Sequence, residues 1–300
     1  MSKNIWGVDL GGTKIECAVL NEKFEVIERQ RVDTEAHLGY PHIISQIKKL
    51  IDRVAEMVGE KPVKIGFSTP GVLDPGTQKM KNCNTVCMND QAMKQDIEDA
   101  LGIEARLAND ANCFALAETL MGVVPQIDPN AKVVFGVIMG TGVGGGLVVN
   151  GTAIYGKHGI GGEWGHNMIE EDGPACYCGK SGCVENVISG PALQKYYAKI
   201  SGNELKMKEI VERHLAGIDT FASQTIDRML EYYGRGISTI INVIDPDVIV
   251  IGGGVGNIDL LYTEGYERIK KYIFNNKKLE TPIVKPLLGD SAGVFGAALL

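Results

Sequence analysis

The chain has 300 residues, of which 44% are apolar and 22% are charged, an ordinary composition for a globular protein. A single compact core rarely grows to this length, so two domains are expected. The formal net charge of −7 disfavours nucleic acid or an anionic membrane as the main partner.

The beginning of the chain, residues 1–4, has no apolar leader with a small-residue cleavage site. No stretch approaches ~18 uninterrupted apolar residues, so we expect no membrane span and a cytoplasmic location. In a reducing compartment the seven cysteines are expected to be metal ligands or small buried side chains rather than disulfides.

Strand and helix patterns alternate along the chain, which predicts an α/β architecture. In chain order they predict strand–turn–strand over 8–20, a helix over 43–58, a strand at 63–67, a helix at 91–101, a strand at 106–108 and a helix at 111–120. After a proline-containing loop they predict strands at 133–139 and 147–149, helices near 191–200, 206–215 and 222–243, a strand at 247–251, a helix at 258–273, a strand at 282–287 and a final helix from 289.

Two glycine turns follow predicted strands: the first at residues 11–14 and the second at residues 140–143. Glycine lets main-chain N–H groups approach an anion with no Cβ atom in the way, and threonine hydroxyls and Lys14 add donors. A tight hairpin is the alternative for either turn alone, but two such turns, each opening a lobe, favour phosphate binding. The expected N–H donors are those of Gly11, Gly12, Thr13, Thr141, Gly142 and Val143.

Two common phosphate motifs do not fit the sequence. There is no P-loop string of glycine, four residues and Gly-Lys-Ser/Thr. Residues 140–145 match Gly-x-Gly-x-x-Gly, but a strand follows where a dinucleotide-binding fold requires a helix. The glycines at 252–254 lie between a strand and a helix, and we expect Gly253 and Gly254 to approach the sugar or base of a nucleotide.

Asn109 and Asp110 lie where a predicted strand ends and a helix begins, at the sheet edge where α/β proteins bind ligands. The simplest interpretation of this pair is a helix N-cap. Beside two phosphate turns, a carboxylate at this edge also suits a general base that takes the proton of a hydroxyl attacking a γ-phosphate. The two interpretations are compatible, with Asn109 as the cap and Asp110 as the base.

Three cysteines in residues 176–183 follow a histidine at 166. Such a Cys₃His set is typical of tetrahedral structural zinc, and Cys-x-Cys spacing suits an internal disulfide poorly. Reactive thiols without metal are the alternative. The sequence predicts Zn²⁺ on His166, Cys176, Cys178 and Cys183.

Together these motifs resemble the ROK family (repressor, open reading frame, kinase) over nearly the whole chain. The motifs are Asp9-Leu-Gly-Gly-Thr-Lys14, Asn109-Asp-Ala-Asn112, residues 140–146, Glu163-Trp-Gly-His166, residues 176–185 and residues 252–254. The resemblance implies an α/β, two-lobed, actin-like ATPase (ribonuclease H-like) fold with ATP and sugar in an interlobe cleft. It also implies a small lobe of residues 1–120 joined by the C-terminal helix 289–300, a large lobe of residues 121–288 with the zinc site, and a homodimer.

The resemblance further implies the roles of the site residues. Asp110 is the implied catalytic base, and Asp9 is expected near Mg²⁺. One nitrogen of His166 would bind zinc while the other donates to the sugar. The implied sugar contacts are Asn84, Asn109, Glu163, His166 and Glu185, and the groups facing the ATP phosphates are Gly11, Gly12, Thr13, Lys14, Thr141 and Gly142.

The implied function is ATP-dependent phosphorylation of a hexose, most simply at the 6-hydroxyl of glucose or N-acetylglucosamine. The family's glucokinases usually carry an Asn-Leu-Pro-Gly-Trp-like segment, whereas residues 84–89 have no Pro or Trp. Residues 109–116 and 289–298 look closer to N-acetylglucosamine kinases. Fructokinase and N-acetylmannosamine kinase are alternatives, and a sugar-sensing repressor is disfavoured because a strand begins by residue 5, with no helix-turn-helix module before it.

Overall fold

The structure is a computed structural model that describes residues 4–300. Residues 1–3, from which the absence of a leader was partly inferred, lie outside the described residues. The chain forms two compact units. Unit 1 comprises the chain up to Gly122, Gly146–Gly161 and Leu288–Leu300, and unit 2 comprises Val123–Gly145 and Gly162–Leu287.

The described elements alternate between strands and helices. The strands are β1 (Ile5–Leu10), β2 (Lys14–Leu20), β3 (Val26–Asp33), β4 (Lys64–Thr69), β5 (Val72–Leu73), β6 (Met80–Lys81), β7 (Glu104–Asn109), β8 (Val133–Met139), β9 (Val143–Val149), β10 (Thr152–Ala153), β11 (Val248–Gly252) and β12 (Ile283–Val284). The α-helices are α1 (Tyr40–Val58), α2 (Met93–Leu101), α3 (Asp110–Leu120), α4 (Val124–Ile127), α5 (Val184–Ile188), α6 (Gly190–Ser201), α7 (Met207–Leu215), α8 (Thr220–Ile244), α9 (Gly253–Gly256), α10 (Glu264–Ile269) and α11 (Ala292–Ala298). Short 3-10 helices occupy Ala36–Leu38, Val86–Met88, Trp164–His166, Asp259–Leu261 and Gly289–Ser291.

Unit 1 is built on a five-stranded sheet in the order β3-β2-β1-β4-β7. β1, β2 and β3 are antiparallel neighbours, whereas β1, β4 and β7 run parallel. β1 and β4 are buried along most of their length, as central strands covered on both faces should be. Because these three strands are parallel, Asp9, Thr69 and Asn109 come to the same edge of the sheet.

The C-terminal helix α11 packs against α3 and across β1 and β4. It crosses the sheet at Gly7 and Gly66, which are register partners in β1 and β4. A Cβ atom at Gly66 would lie 1.8 Å from the carbonyl oxygen of Ala297, and one at Gly7 would lie 2.2 Å from that of Val294. The two glycines therefore let the helix backbone rest directly on the strands.

We expect Gly66→Ala to lower the free energy of unfolding by about 1–3 kcal/mol, because the new methyl group forces two backbones apart. Gly254→Ala is the matched control, since nothing lies within 4 Å of a Cβ atom built there. Urea denaturation of both purified variants without ligand measures the difference. Equal denaturation midpoints would contradict the close packing of α11.

Unit 2 contains β8, β11 and β12 as parallel neighbours, with β9 on the other side of β8. β9 continues past Gly145 into unit 1, where its last residues pair with β10. The long helix α8 packs against α5, α6, α7 and α10. Its buried residues recur every three or four positions, as expected for a helix with one core-facing stripe.

None of the helices in residues 4–300 combines the length with the apolar character that crossing a membrane requires.

Candidate active site

The first glycine turn joins β1 to β2. The Gly11 N–H donates to the Lys14 carbonyl oxygen at 3.0 Å, and the Thr34 hydroxyl donates to the Gly11 carbonyl oxygen at 2.7 Å. The N–H of Gly11 is therefore used within the turn. Within residues 4–300 the N–H groups of Gly12 and Thr13 have no hydrogen-bond partner, and both residues are exposed. Two of the three predicted donors of this turn are thus available to an anion.

Asn109 ends β7 and Asp110 begins α3. Asn109 Oδ1 accepts hydrogen bonds from the Asn112 main-chain N–H at 3.0 Å and from Asn112 Nδ2 at 2.6 Å, which makes Asn109 the N-cap of α3. Asp110 is exposed, and its Oδ1 accepts from the Ala111 N–H at 2.8 Å. This bond orients the Asp110 carboxylate at a helix N-terminus, where negative charge is favoured.

Asp9 lies at the carboxyl end of β1, beside Ser68 of β4. Burial raises the pKa of the Asp9 carboxyl group, and the charge of Glu16 adds to the rise. In the described chain the Ser68 hydroxyl is buried and has no hydrogen-bond partner. A divalent cation fits this site, because it favours the charged carboxylate and takes oxygen ligands.

Asp9 and Asp110 lie at the same sheet edge, Asp9 in β1 and Asp110 directly after β7, with β4 between the two strands. Burial raises the pKa of the Cys113 thiol well above its ordinary value, and the charges of Asp9 and then Asp110 raise it further. A thiol that interacts with both carboxylates must lie within range of both. The three parallel strands therefore bring the predicted magnesium ligand and the predicted base together.

The loop after β6 lies against the first glycine turn. The Cys83 N–H donates to Asn89 Oδ1 at 2.8 Å, and Asn89 Nδ2 donates back to the Cys83 carbonyl oxygen at 3.2 Å, which closes the loop. Asn84 is exposed, and Thr85 Oγ1 would lie 3.3 Å from a Cβ atom at Gly12. The family resemblance predicted a role for Asn84. It did not predict the contact of Thr85 with the turn, because a single threonine in a loop belongs to no recognisable motif.

The four predicted metal ligands converge in unit 2. Their ligand atoms all lie within 4.8 Å of one another, with 3.6 Å between His166 Nδ1 and Cys176 Sγ and 3.6 Å between Cys178 Sγ and Cys183 Sγ. Tetrahedral zinc with ordinary bond lengths separates such donors by about 3.5–3.8 Å, so the cluster fits zinc. Burial raises the pKa of the Cys183 thiol to about 12, and the Cys178 and Cys176 thiols add to the rise. A cation is needed to hold that sulfur as thiolate at neutral pH.

The second ring nitrogen of His166, Nε2, lies 3.0 Å from the Tyr177 hydroxyl, and Tyr177 is 73% exposed. Although most of the Tyr177 side chain is exposed, local desolvation of its hydroxyl beside His166 raises its pKa, and the charges of Glu185 and Glu163 contribute to the rise. Of the three predicted sugar contacts of unit 2, His166 therefore touches Tyr177 directly, and Glu185 and Glu163 act on it through their charge. A sugar that binds Nε2 would have to share it with Tyr177 or displace the tyrosine. The metal prediction rested on the spacing of the three cysteines and His166, and that pattern assigned no role to Tyr177.

The second glycine turn follows β8. The Gly140 N–H donates to the Gly142 carbonyl oxygen at 2.9 Å, and the Gly140 carbonyl oxygen accepts from the Gly190 N–H at 2.9 Å. The N–H of Val143 donates to Glu185 Oε2 at 3.0 Å. Val143 was expected to offer this N–H to phosphate, and the expectation is wrong because the carboxylate of Glu185 already holds it.

Within unit 2 the second glycine turn packs against the segments that carry the four predicted metal ligands. A Cβ atom at Gly142 would lie 2.6 Å from Glu185 Oε2, and one at Gly165 would lie 1.9 Å from the Val143 carbonyl oxygen. Gly165 belongs to the 3-10 helix Trp164–His166, which carries a metal ligand, and α5 begins directly after the last cysteine. Both elements pack on the turn, a contact that the separate sequence motifs did not indicate.

A cavity in unit 2 lies beside the predicted nucleoside glycines. Gly253 and Gly254 begin α9, and Gly254 lines a cavity of about 480 Å³ that has apolar side chains such as Val211 and Leu215 on its wall. Its polar lining residues are Lys208, Glu212, Asn257 and Asp259. A concave site with an apolar wall and polar groups beside it suits a planar base that carries hydrogen-bonding atoms.

The sequence model of the ROK family matches residues 5–300. This chain is a member of the ROK family. An N-acetyl-D-glucosamine kinase from Aliivibrio fischeri (strain ATCC 700601 / ES114) is 33% identical to it over 305 residues, with 98% of each chain covered. The crystal structure of a ROK hexokinase from Thermus thermophilus matches with a TM-score of 0.88 at 31% identity, covering 99% of this chain and 97% of that one. A ROK family glucokinase from Streptomyces griseus, in complex with glucose and AMPPNP, matches in fold with a TM-score of 0.76 at 24% identity and 98% coverage of each chain.

The predicted fold class is therefore confirmed. The ROK protein has the α/β, actin-like ATPase fold of these kinases. All of its elements, from β1 to α11, lie within the residues that the family model matches.

Proposed function

We propose that this ROK protein is an ATP-dependent hexose kinase that phosphorylates the 6-hydroxyl of glucose or N-acetylglucosamine, with Asp110 as the general base. Its similarity to an N-acetyl-D-glucosamine kinase and to a ROK hexokinase supports the reaction class. The observation that carries the proposal is the pair of carboxylates, Asp9 and Asp110, at one sheet edge beside the first glycine turn.

The two carboxylates would have different tasks. Asp110 would accept the proton of the sugar hydroxyl while that oxygen attacks the γ-phosphate, and its bond from the Ala111 N–H supports a fixed direction for the carboxylate. Asp9 would hold Mg²⁺, which supplies positive charge to the phosphates in the transition state. The proposed phosphate-facing groups are Gly11, Gly12, Thr13, Lys14, Thr141 and Gly142, with Gly253 and Gly254 beside the nucleoside.

The sugar would be held by Asn84, Asn109, Glu163, His166 and Glu185. We propose that Zn²⁺ on His166 Nδ1 and the three cysteines fixes the imidazole, so that Nε2 is aimed at a sugar hydroxyl. Zinc-binding thiols require a reducing compartment, which supports a cytoplasmic location. The proposal includes a homodimer, which light scattering of the purified protein would test.

N-acetylglucosamine is the first substrate to test, because similarity to an N-acetyl-D-glucosamine kinase extends over 98% of the chain. The segment 84–89 lacks the Pro and Trp of the glucokinase pattern, so the sugars to compare first are those that differ at carbon 2.

A coupled ADP-release assay with MgATP and a panel of free hexoses tests the proposal. We expect N-acetylglucosamine or glucose to stimulate ADP release most strongly, above N-acetylmannosamine and fructose, and phosphorus NMR to show a 6-phosphate product. Folded, zinc-loaded protein that releases no ADP with any of these sugars would refute the proposal.

A further inference from the structure

We infer that Glu185 braces the second glycine turn with one carboxylate oxygen and serves the sugar with the other, so that nucleotide and sugar affinity are coupled through this side chain. The inference rests on the proposed function, in which Glu185 contacts the sugar and the turn faces the ATP phosphates.

The contact between Glu185 and the turn is direct. Oε2 accepts from the Val143 N–H at 3.0 Å, and a Cβ atom at position 142 would lie 2.6 Å from the same oxygen. Any side chain at Gly142 would therefore displace the carboxylate from the main chain. A bond between a carboxylate and an N–H group is charge-assisted and stronger than one between neutral groups.

A main-chain bond holds the other end of the turn. The Gly190 N–H donates to the Gly140 carbonyl oxygen at 2.9 Å, and Gly190 begins α6 shortly after α5, the helix that carries Glu185. The segment from α5 to α6 thus holds the turn at both ends. Of these two bonds, only the one from Val143 depends on a side chain that is also a proposed sugar contact.

A carboxylate beside a turn that binds an anion lowers the affinity for that anion, because like charges repel. Two opposite effects of removing Glu185 therefore compete. Relief of repulsion would strengthen phosphate binding, whereas loss of the brace would let the turn leave its binding conformation. In this inference the brace dominates. Sugar bound to the other carboxylate oxygen would hold Glu185 on the Val143 N–H and so improve nucleotide binding. By reciprocity, bound nucleotide would then improve sugar binding by the same factor.

Calorimetric titration of ADP in the absence of sugar separates the two effects. We expect Glu185→Ala to weaken ADP binding by roughly tenfold, within the range of a hydrogen bond to a charged group, and to leave adenosine binding unchanged. Glu185→Gln keeps an oxygen that can accept from Val143, so it should retain ADP affinity while weakening the sugar. Asn84→Ala is the matched control, a proposed sugar contact outside the turn, and should weaken the sugar alone.

The outcomes distinguish this inference from the proposed function. Wild-type protein that binds neither ADP nor any sugar refutes the proposed function itself. Wild-type protein that binds both, together with Glu185→Ala that binds ADP as well or better, overturns the inference and leaves the function standing. If circular dichroism shows that Glu185→Ala does not fold, Gly142→Ala provides the test, because its methyl group displaces the Glu185 carboxylate. We expect Gly142→Ala to bind sugar more weakly than the wild type in the absence of nucleotide. Unchanged sugar affinity overturns the inference.

Discussion

Asp110→Asn should lower kcat for sugar phosphorylation by about 10²–10⁴-fold, the usual contribution of a general base. The dissociation constants of sugar and ADP should stay close to those of the wild type. Asparagine retains an oxygen for the Ala111 N–H, and Asn109 continues to cap α3, so the first turn of the helix should persist. The coupled assay gives kcat, and calorimetry gives both dissociation constants.

The control for this substitution is Asp128→Asn, a partly exposed aspartate whose Oδ1 also accepts from a nearby main-chain N–H, that of Asn130. It lies in a loop outside the candidate site and should leave kcat unchanged. Full activity in Asp110→Asn would refute the base assignment. Loss of activity together with loss of sugar binding would assign Asp110 to sugar binding instead.

The elements predicted correctly from the sequence are those whose pattern follows burial. The apolar run at 133–139 is β8 with the same bounds, because a strand covered on both faces is apolar throughout. The predicted helix that ends before Gly102 is α2, and Gly102 takes the left-handed conformation that ends the helix, with φ 70°. In both cases the residues within the element are enough to predict its type and where it ends.

Elements that are stabilised by residues far away in the sequence could not be predicted from local patterns. β3 has little apolar alternation and is largely exposed, and it forms because it pairs with β2 along its length. The predicted helix over 258–273 is instead a 3-10 turn followed by the short α10. The Tyr262 hydroxyl donates to the carbonyl oxygens of Ile251 and Gly256, which ties that turn to the end of β11.

The same distinction applies to the candidate site. The metal ligands come from short neighbouring segments, so their spacing in the sequence sufficed to predict that they converge. The N-cap at Asn109 is likewise a local feature. The bond between Glu185 and Val143 joins residues 42 positions apart, and no motif includes both. This bond shows that the second glycine turn packs directly against the segment that carries the metal ligands.

Cys178→Ser should abolish zinc binding and weaken sugar binding by about tenfold or more, since several hydrogen bonds of about 1 kcal/mol each would lose their orientation. A serine hydroxyl is a poor replacement for a thiolate ligand, and His166 Nδ1 would lose its fixed partner. Cys178 is exposed, so the substitution leaves the apolar core intact. Elemental analysis measures zinc per chain, and calorimetry measures sugar affinity.

Cys87→Ser is the control, a cysteine outside the cluster that is only partly buried, and it should keep its zinc. In Cys178→Ser, ADP affinity should fall less than sugar affinity. The first glycine turn belongs to unit 1 and carries none of the metal ligands, and the second turn keeps its bond from Gly190. A variant without zinc that binds sugar like the wild type would show that the metal only stabilises its own loop. Parallel loss of zinc and sugar affinity would instead mean that the metal orients the sugar-binding side chains.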